Sequence, residues 1–156
     1  MTATIDQTEI LNDLIAINND RVEGYNKAVN EVEHTDVDLK VFFGKMSTQS
    51  RENVAELESF ITKLGGETEH GTTISGKVYR VWMDVKATIM GNHKKTALDL
   101  CEYGEDAAQH AYDKALEHAD DLDEEIVTLL KKQQYELKES HDTIKKFRNE
   151  EAAKSK

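Results

Sequence analysis

The 156 residues include no proline, so no pyrrolidine ring is present to break a helix from within. Aromatic residues make up only 6%, and charged residues 33%. That balance suits an all-helical soluble chain. A single cysteine excludes a disulfide framework and a cysteine-based zinc cage. Positive charge is scarce: 20 Lys and Arg stand against 31 Asp and Glu, a net charge of -11. This sign argues against nucleic-acid backbones and anionic membranes as main partners. No stretch is long and apolar enough to span a bilayer, so no membrane insertion is expected. Met1 to Asp6 has neither a basic region nor an apolar run, and the expected compartment is the cytoplasm.

What is present is length enough for one domain with a real core, and one stretch that breaks the expected pattern. Residues 98–116 read as a helix at about 100° per residue. Leu98, Cys101, Tyr112 and Leu116 share one face. Glu105 falls near the centre of that face, with Glu102 and Gln109 just beside it. A carboxylate rarely points into a core without a partner, because desolvating a charge is expensive. The partners of Glu102 and Glu105 are therefore the place to look for function. Cys101, on the same face, reads as an ordinary buried thiol.

The chain reads as one four-helix-bundle domain, residues 1–156. The first helix is expected at about 6–32, with Thr4 or Asp6 as its cap. Its stripe is Leu11, Leu14, Ile15, Val22, Tyr25 and Val29, with Asn18 at the centre and Arg21 at the edge. The second runs over about 37–64, capped by Asp36 and closed by Gly65-Gly66. Ser50 and Asn53 interrupt its stripe. A crossover segment carries a short extra helix at about 77–90, long enough to climb about 20 Å. Its Tyr79/Trp82 side is a candidate surface for a homodimer. Gly91-Asn92 separates it from the third helix, at about 93–118. One continuous helix from 77 to 118 is the alternative. The fourth covers about 122–150, after a cap among Asp120 to Asp123, and its stripe is interrupted or flanked by Gln133, Ser140 and His141. Beyond Glu150 the tail is expected to fray. Two short-turn hairpins joined by a long crossover make the ferritin-like topology.

The helix midpoints fall at about 19, 50, 105 and 136. Asn18, Arg21, Ser50, Asn53, Glu102, Glu105, Gln133, Ser140 and His141 all lie near them, so the pattern predicts a polar layer inside an apolar bundle. Two readings of it stand. One is a hydrogen-bonded layer in which Arg21 neutralises a Glu, Asn18 and Asn53 bridge, and His141 pairs with the other acid. The other is a metal site, for iron, manganese or zinc, with Glu102, Glu105 and His141 as ligands. A di-iron carboxylate centre would need inward Glu-x-x-His strings at mid-bundle. The two such strings here, Glu31/His34 and Glu67/His70, sit at a helix end and in a loop. On helix 4, Lys138 stands where the Glu before His141 should be. No phosphate loop, nucleophile elbow or Cys/His dyad is legible, and no catalytic residue is assigned.

Several stretches carry a resemblance. They are Leu11-Asn12-Asp13-Leu14, the run Asn18-Asn19-Asp20-Arg21-Val22-Glu23-Gly24-Tyr25, and Leu64-Gly65-Gly66. Gly76 to Lys86 (GKVYRVWMDVK), Cys101-Glu102-Tyr103-Gly104-Glu105-Asp106 and His141-Asp142-Thr143-Ile144 continue it. Together they resemble an uncharacterised bacterial family of four-helix bundles grouped with the ferritin-like superfamily. The resemblance covers nearly the whole chain. It implies a ferritin-like bundle and brings no established reaction. The first functional expectation is a non-catalytic bundle with a structural or stress-related role. Its rival is a metal-binding protein or oxidoreductase.

Overall fold

The structure is a computed structural model that describes residues 7–31, 37–68 and 94–154. It is an all-α four-helix bundle. Helix α1 is Gln7–Glu31, α2 is Val37–Lys63, α3 is Lys94–Leu116 and α4 is Glu124–Lys154, with a short 3-10 turn at Ala119–Asp121 before α4. The expected crossover helix at 77–90, its Tyr79/Trp82 side, the Thr4, Asp6 and Asp36 caps and the choice between one helix or two over 77–118 lie outside the described residues.

A 3-4 spacing runs through the core positions. On α1 it links Leu11, Leu14, Asn18, Arg21 and Tyr25, with Ile15 and Ile17 buried beside them; on α3, Leu98, Cys101, Glu105, Ala108, Tyr112 and Ala115. On α4 the series is Ile126, Leu130, Gln133, Leu137, Ser140 and Ile144. A seven-residue repeat is the pattern of helices that pack side by side and supercoil gently to keep one seam inward. It also corrects one sequence expectation. A straight 100° wheel places Arg21 at the edge of the α1 stripe, but such a wheel drifts about 20° per heptad from the true seam. Arg21 stands at a core position and is fully buried.

The side-chain contacts give the helix directions. Tyr25 stacks near Phe43 with ring centroids 5.3 Å apart, while Asn18 meets Asn53, so α1 and α2 are antiparallel. Gln109 meets Gln134 and Arg148 meets Glu102, so α3 and α4 are antiparallel too. Asn18 reaches Tyr112 and Arg21 reaches Glu105, which sets α1 against α3 in opposite directions. The order is therefore up, down, down, up. Ile61, late in α2, packs with Leu11 and Ile126 at one end. Leu98, early in α3, packs with Tyr25 and Leu39 at the other. Lys63 and Lys94 thus lie towards opposite ends of the bundle.

The apolar residues divide into two clusters. One gathers Leu11, Leu14, Leu57, Ile61, Tyr112 and Ile126 among others. The second gathers Tyr25, Leu39, Phe42, Phe43, Leu98 and Ile144, with Phe147 against it. Asn18, Arg21, Ser50, Asn53, Glu105 and Ser140 fall between the two along their helices, while Gln133 falls within the span of the first. At the second cluster's end, α4 is helical to Lys154, past the expected end at about 150. Glu, Ala and Lys are among the strongest helix formers, and Glu151, Ala152, Ala153 and Lys154 carry the helix on.

The end of α2 is fixed by Gly65, at φ 75°. The Gly65 N–H donates to Thr62 O and the Gly66 N–H to Ile61 O, both at 3.0 Å. This is the double bond pattern of a Schellman cap, which needs a left-handed residue after the helix. At the start of α4, Asp123 O accepts the first helical bond from Val127 N at 3.0 Å. The Asp123 N–H donates to Gln7 Oε1 at 2.8 Å, which ties the starts of α1 and α4 together. Gly65→Ala is expected to lower unfolding stability by about 1–2 kcal/mol, the cost of a Cβ in the left-handed region. Urea denaturation checks this; an unchanged midpoint would show that the turn relaxes freely.

Candidate functional site

The polar layer is built in two tiers, and every helix contributes to each. The first tier is a closed ring. Asn53 Nδ2 of α2 donates to Asn18 Oδ1 of α1 at 3.1 Å. Asn18 Nδ2 donates to the Tyr112 hydroxyl of α3 at 3.0 Å, and that hydroxyl donates to Gln133 Oε1 of α4 at 2.6 Å. Gln133 Nε2 closes the ring on Asn53 O at 3.3 Å. All four residues are buried, where an unpaired polar group would cost about 1–3 kcal/mol.

The second tier centres on Arg21. Its Nε donates to Glu105 Oε1 at 2.9 Å and its Nη2 to Glu105 Oε2 at 3.2 Å. This is the bidentate fork that suits guanidinium and carboxylate geometry. Nη1 donates to Ser50 Oγ and to Gln49 Oε1, and Nη2 also faces Met46 Sδ at 3.6 Å. Each of the five N–H donors of a guanidinium thus has an acceptor. Tyr25 donates its hydroxyl proton to Glu105 Oε1 at 2.7 Å. Ser140 of α4 donates to Gln49 Oε1 at 3.2 Å. Ser50 Oγ links the tiers by donating to Asn18 Oδ1 at 3.0 Å. Both partners of the ion pair have side chains at 0% exposure, so the pair is shielded from solvent screening.

Burial alone would lower the pKa of the Arg21 guanidinium, but the charge and hydrogen bond of Glu105 outweigh it and leave the group above its ordinary value. Burial, reinforced by the Glu105 charge, raises the Tyr25 phenol well above its ordinary value, and the Cys101 thiol likewise. Burial raises Tyr112 too, against a lowering hydrogen bond from Asn18. A raised thiol is a protonated, weakly nucleophilic thiol.

Of the predicted ligands, Glu102 and His141 come together and Glu105 does not join them. Glu105 is held by Arg21 and Tyr25, while Glu102 points along the α3–α4 seam. His141 Nε2 lies 3.7 Å from Glu102 Oε1 and 2.7 Å from Asp106 Oδ1. Glu102 Oε2 is held by Arg148 of α4. Asn18, Arg21, Ser50, Asn53, Gln133 and Ser140 are all buried in the layer itself. The sequence reading missed the phenols of Tyr25 and Tyr112 as polar members, Gln49 as a shared acceptor, and Asp106 beside His141. Asp106 carried a signal, since it stands one turn after Glu102 on the same helix. Gln49 also lines an open groove of about 650 Å³ between α2 and α4, with Met46, Glu52 and Glu136.

The fold and the layer define an all-α four-helix bundle whose mid-height carries a buried, fully hydrogen-bonded ion pair. The chain belongs to the family described as domain of unknown function DUF2383, whose model matches residues 6–118. That span includes Asn18, Arg21, Ser50, Asn53 and Glu105. No curated protein matches the chain.

Two outcomes follow from this geometry. Arg21→Met leaves the Glu105 carboxylate buried with Tyr25 as its remaining partner among the described residues, so it is expected to cost about 3–5 kcal/mol. Adding Glu105→Leu removes the stranded charge and is expected to recover most of that loss. Chemical denaturation of the two single variants and the double variant measures the coupling; additive losses would contradict it.

The second outcome concerns alkali. The folded chain keeps the Cys101, Tyr25 and Tyr112 protons after the unfolded chain, titrating at ordinary values of 9.0 and 10.0, has lost them. Stability is therefore fully present below about pH 9 and falls as pH rises, by up to about 1.4 kcal/mol per unit for each titrating group. Urea melts at pH 8 to 11 should show this fall, with a later onset in Cys101→Ala. A flat profile to pH 11 would contradict the burial of these groups.

Proposed function

We propose that this chain is a non-catalytic, cytoplasmic bundle of the ferritin-like kind, in which the polar layer fixes how the four helices meet. The up, down, down, up order supports the ferritin-like part, since that topology carries one long connection between its second and third helices. Among the described residues no helix is long and apolar enough to cross a membrane. The observation that carries the reading is the occupant of mid-bundle. Di-metal proteins of this topology direct carboxylates at bound cations there. Here a guanidinium is the cation: Arg21 takes both oxygens of Glu105, and Tyr25 adds a bond to one of them. A buried polar group that must be satisfied can specify one alignment of helices among several apolar ones. A cation held jointly by Glu102, Glu105 and His141 is the weaker reading, because it would have to displace Arg21 from a bidentate pair.

The direct test is iron(II) oxidation in air by the purified protein, followed by absorbance. The expected result is a rate equal to that of buffer, for the wild type and for Glu105→Gln alike. An acceleration by the wild type that disappears in Glu105→Gln would overturn the reading.

A further inference from the structure

We propose that Glu102, Asp106 and His141 form a site for a divalent cation of the zinc class on the outer side of the α3–α4 seam. It is separate from the buried pair and goes beyond the structural role proposed above. One donor atom from each residue lies within 4.8 Å of the other two. The closest approaches are the 2.7 Å and 3.7 Å distances from His141 Nε2 to Asp106 and Glu102. A tetrahedral ion with bonds of about 2.0–2.2 Å holds its donors about 3.4 Å apart, so these separations bracket what such an ion requires.

Glu102 and Asp106 stand one turn apart on α3, where two carboxylates repel each other. His141 faces both from α4. A dication held among the three relieves that repulsion. The independent observation is the arrangement behind the donors. Arg148 takes Glu102 Oε2 and leaves Oε1 directed at His141. The other ring nitrogen, His141 Nδ1, faces Asp142 Oδ1 at 3.4 Å. A ligating histidine characteristically gives its second nitrogen to a carboxylate, and ligating carboxylates are themselves held by outer partners. One imidazole with two carboxylates selects zinc and its first-row neighbours over calcium or magnesium. Asp106 is 63% exposed, so water can enter and fill the fourth position. Bound there, the ion ties α3 to α4.

The test is calorimetric titration of the full chain with zinc chloride at pH 7.5, with cobalt(II) absorption as a second reading of coordination. The expected result is one tight equivalent in the wild type. Its affinity falls at least about tenfold in His141→Ala and in Asp106→Asn, the scale seen even for partners outside the ligand set. It stays unchanged in His110→Ala. Zinc should also raise the wild-type Tm and leave that of His141→Ala unmoved. No binding by the wild type, or equal binding by His141→Ala (an adventitious ion only), overturns the proposal. Circular dichroism of each variant establishes that it is folded.

Discussion

The bundle turns on the burial of one guanidinium. Moving a charge from water into an apolar interior costs several kcal/mol even after relaxation. Arg21 bears that cost only where Glu105, Ser50, Gln49 and Met46 all stand within reach of its donors. Those acceptors come from α2 and α3. A slip of either helix by one heptad would set apolar side chains against the charge, so the alignment in which every donor is answered is strongly favoured.

The apolar residues alone do not impose this choice. Both end clusters are built from Leu, Ile, Phe and Tyr at 3-4 spacing, and such seams tolerate sliding by whole heptads. They supply the bulk of the stability through area removed from water. The two polar tiers supply direction and register instead. The Asn18, Asn53, Gln133 and Tyr112 ring closes only when all four helices are level. Surface pairs such as Lys132 with Glu56, at 3.3 Å and exposed, add little to this, since exposed pairs are worth about 0–1 kcal/mol.

Much of this was legible in the sequence. Polar residues at seam positions near four helix midpoints can only meet in a layer, and an acid at the centre of a seam requires a cation. Arg21 was misplaced to the edge because a straight wheel drifts from a seven-residue seam. The geometry joining Glu102 to Arg148 and His141 to Asp106 was not legible, because long, half-buried side chains at helix edges reach in directions that periodicity does not encode. The roles of Tyr25 and Tyr112 were hidden for another reason. A tyrosine on an apolar stripe reads as core, and only the position of a neighbouring acceptor shows that its hydroxyl is engaged.

The central claim is that the buried pair selects one helix alignment. Replacing it by apolar residues of similar size, Arg21→Met with Glu105→Leu, separates selection from stability. The decisive measurement is a two-dimensional amide NMR spectrum of that double variant beside the wild type. The account predicts a helical, stable protein whose resonances near the layer broaden or split into several sets, because alternative alignments become populated. A single sharp set, with wild-type contacts between α1 and α3, would contradict it.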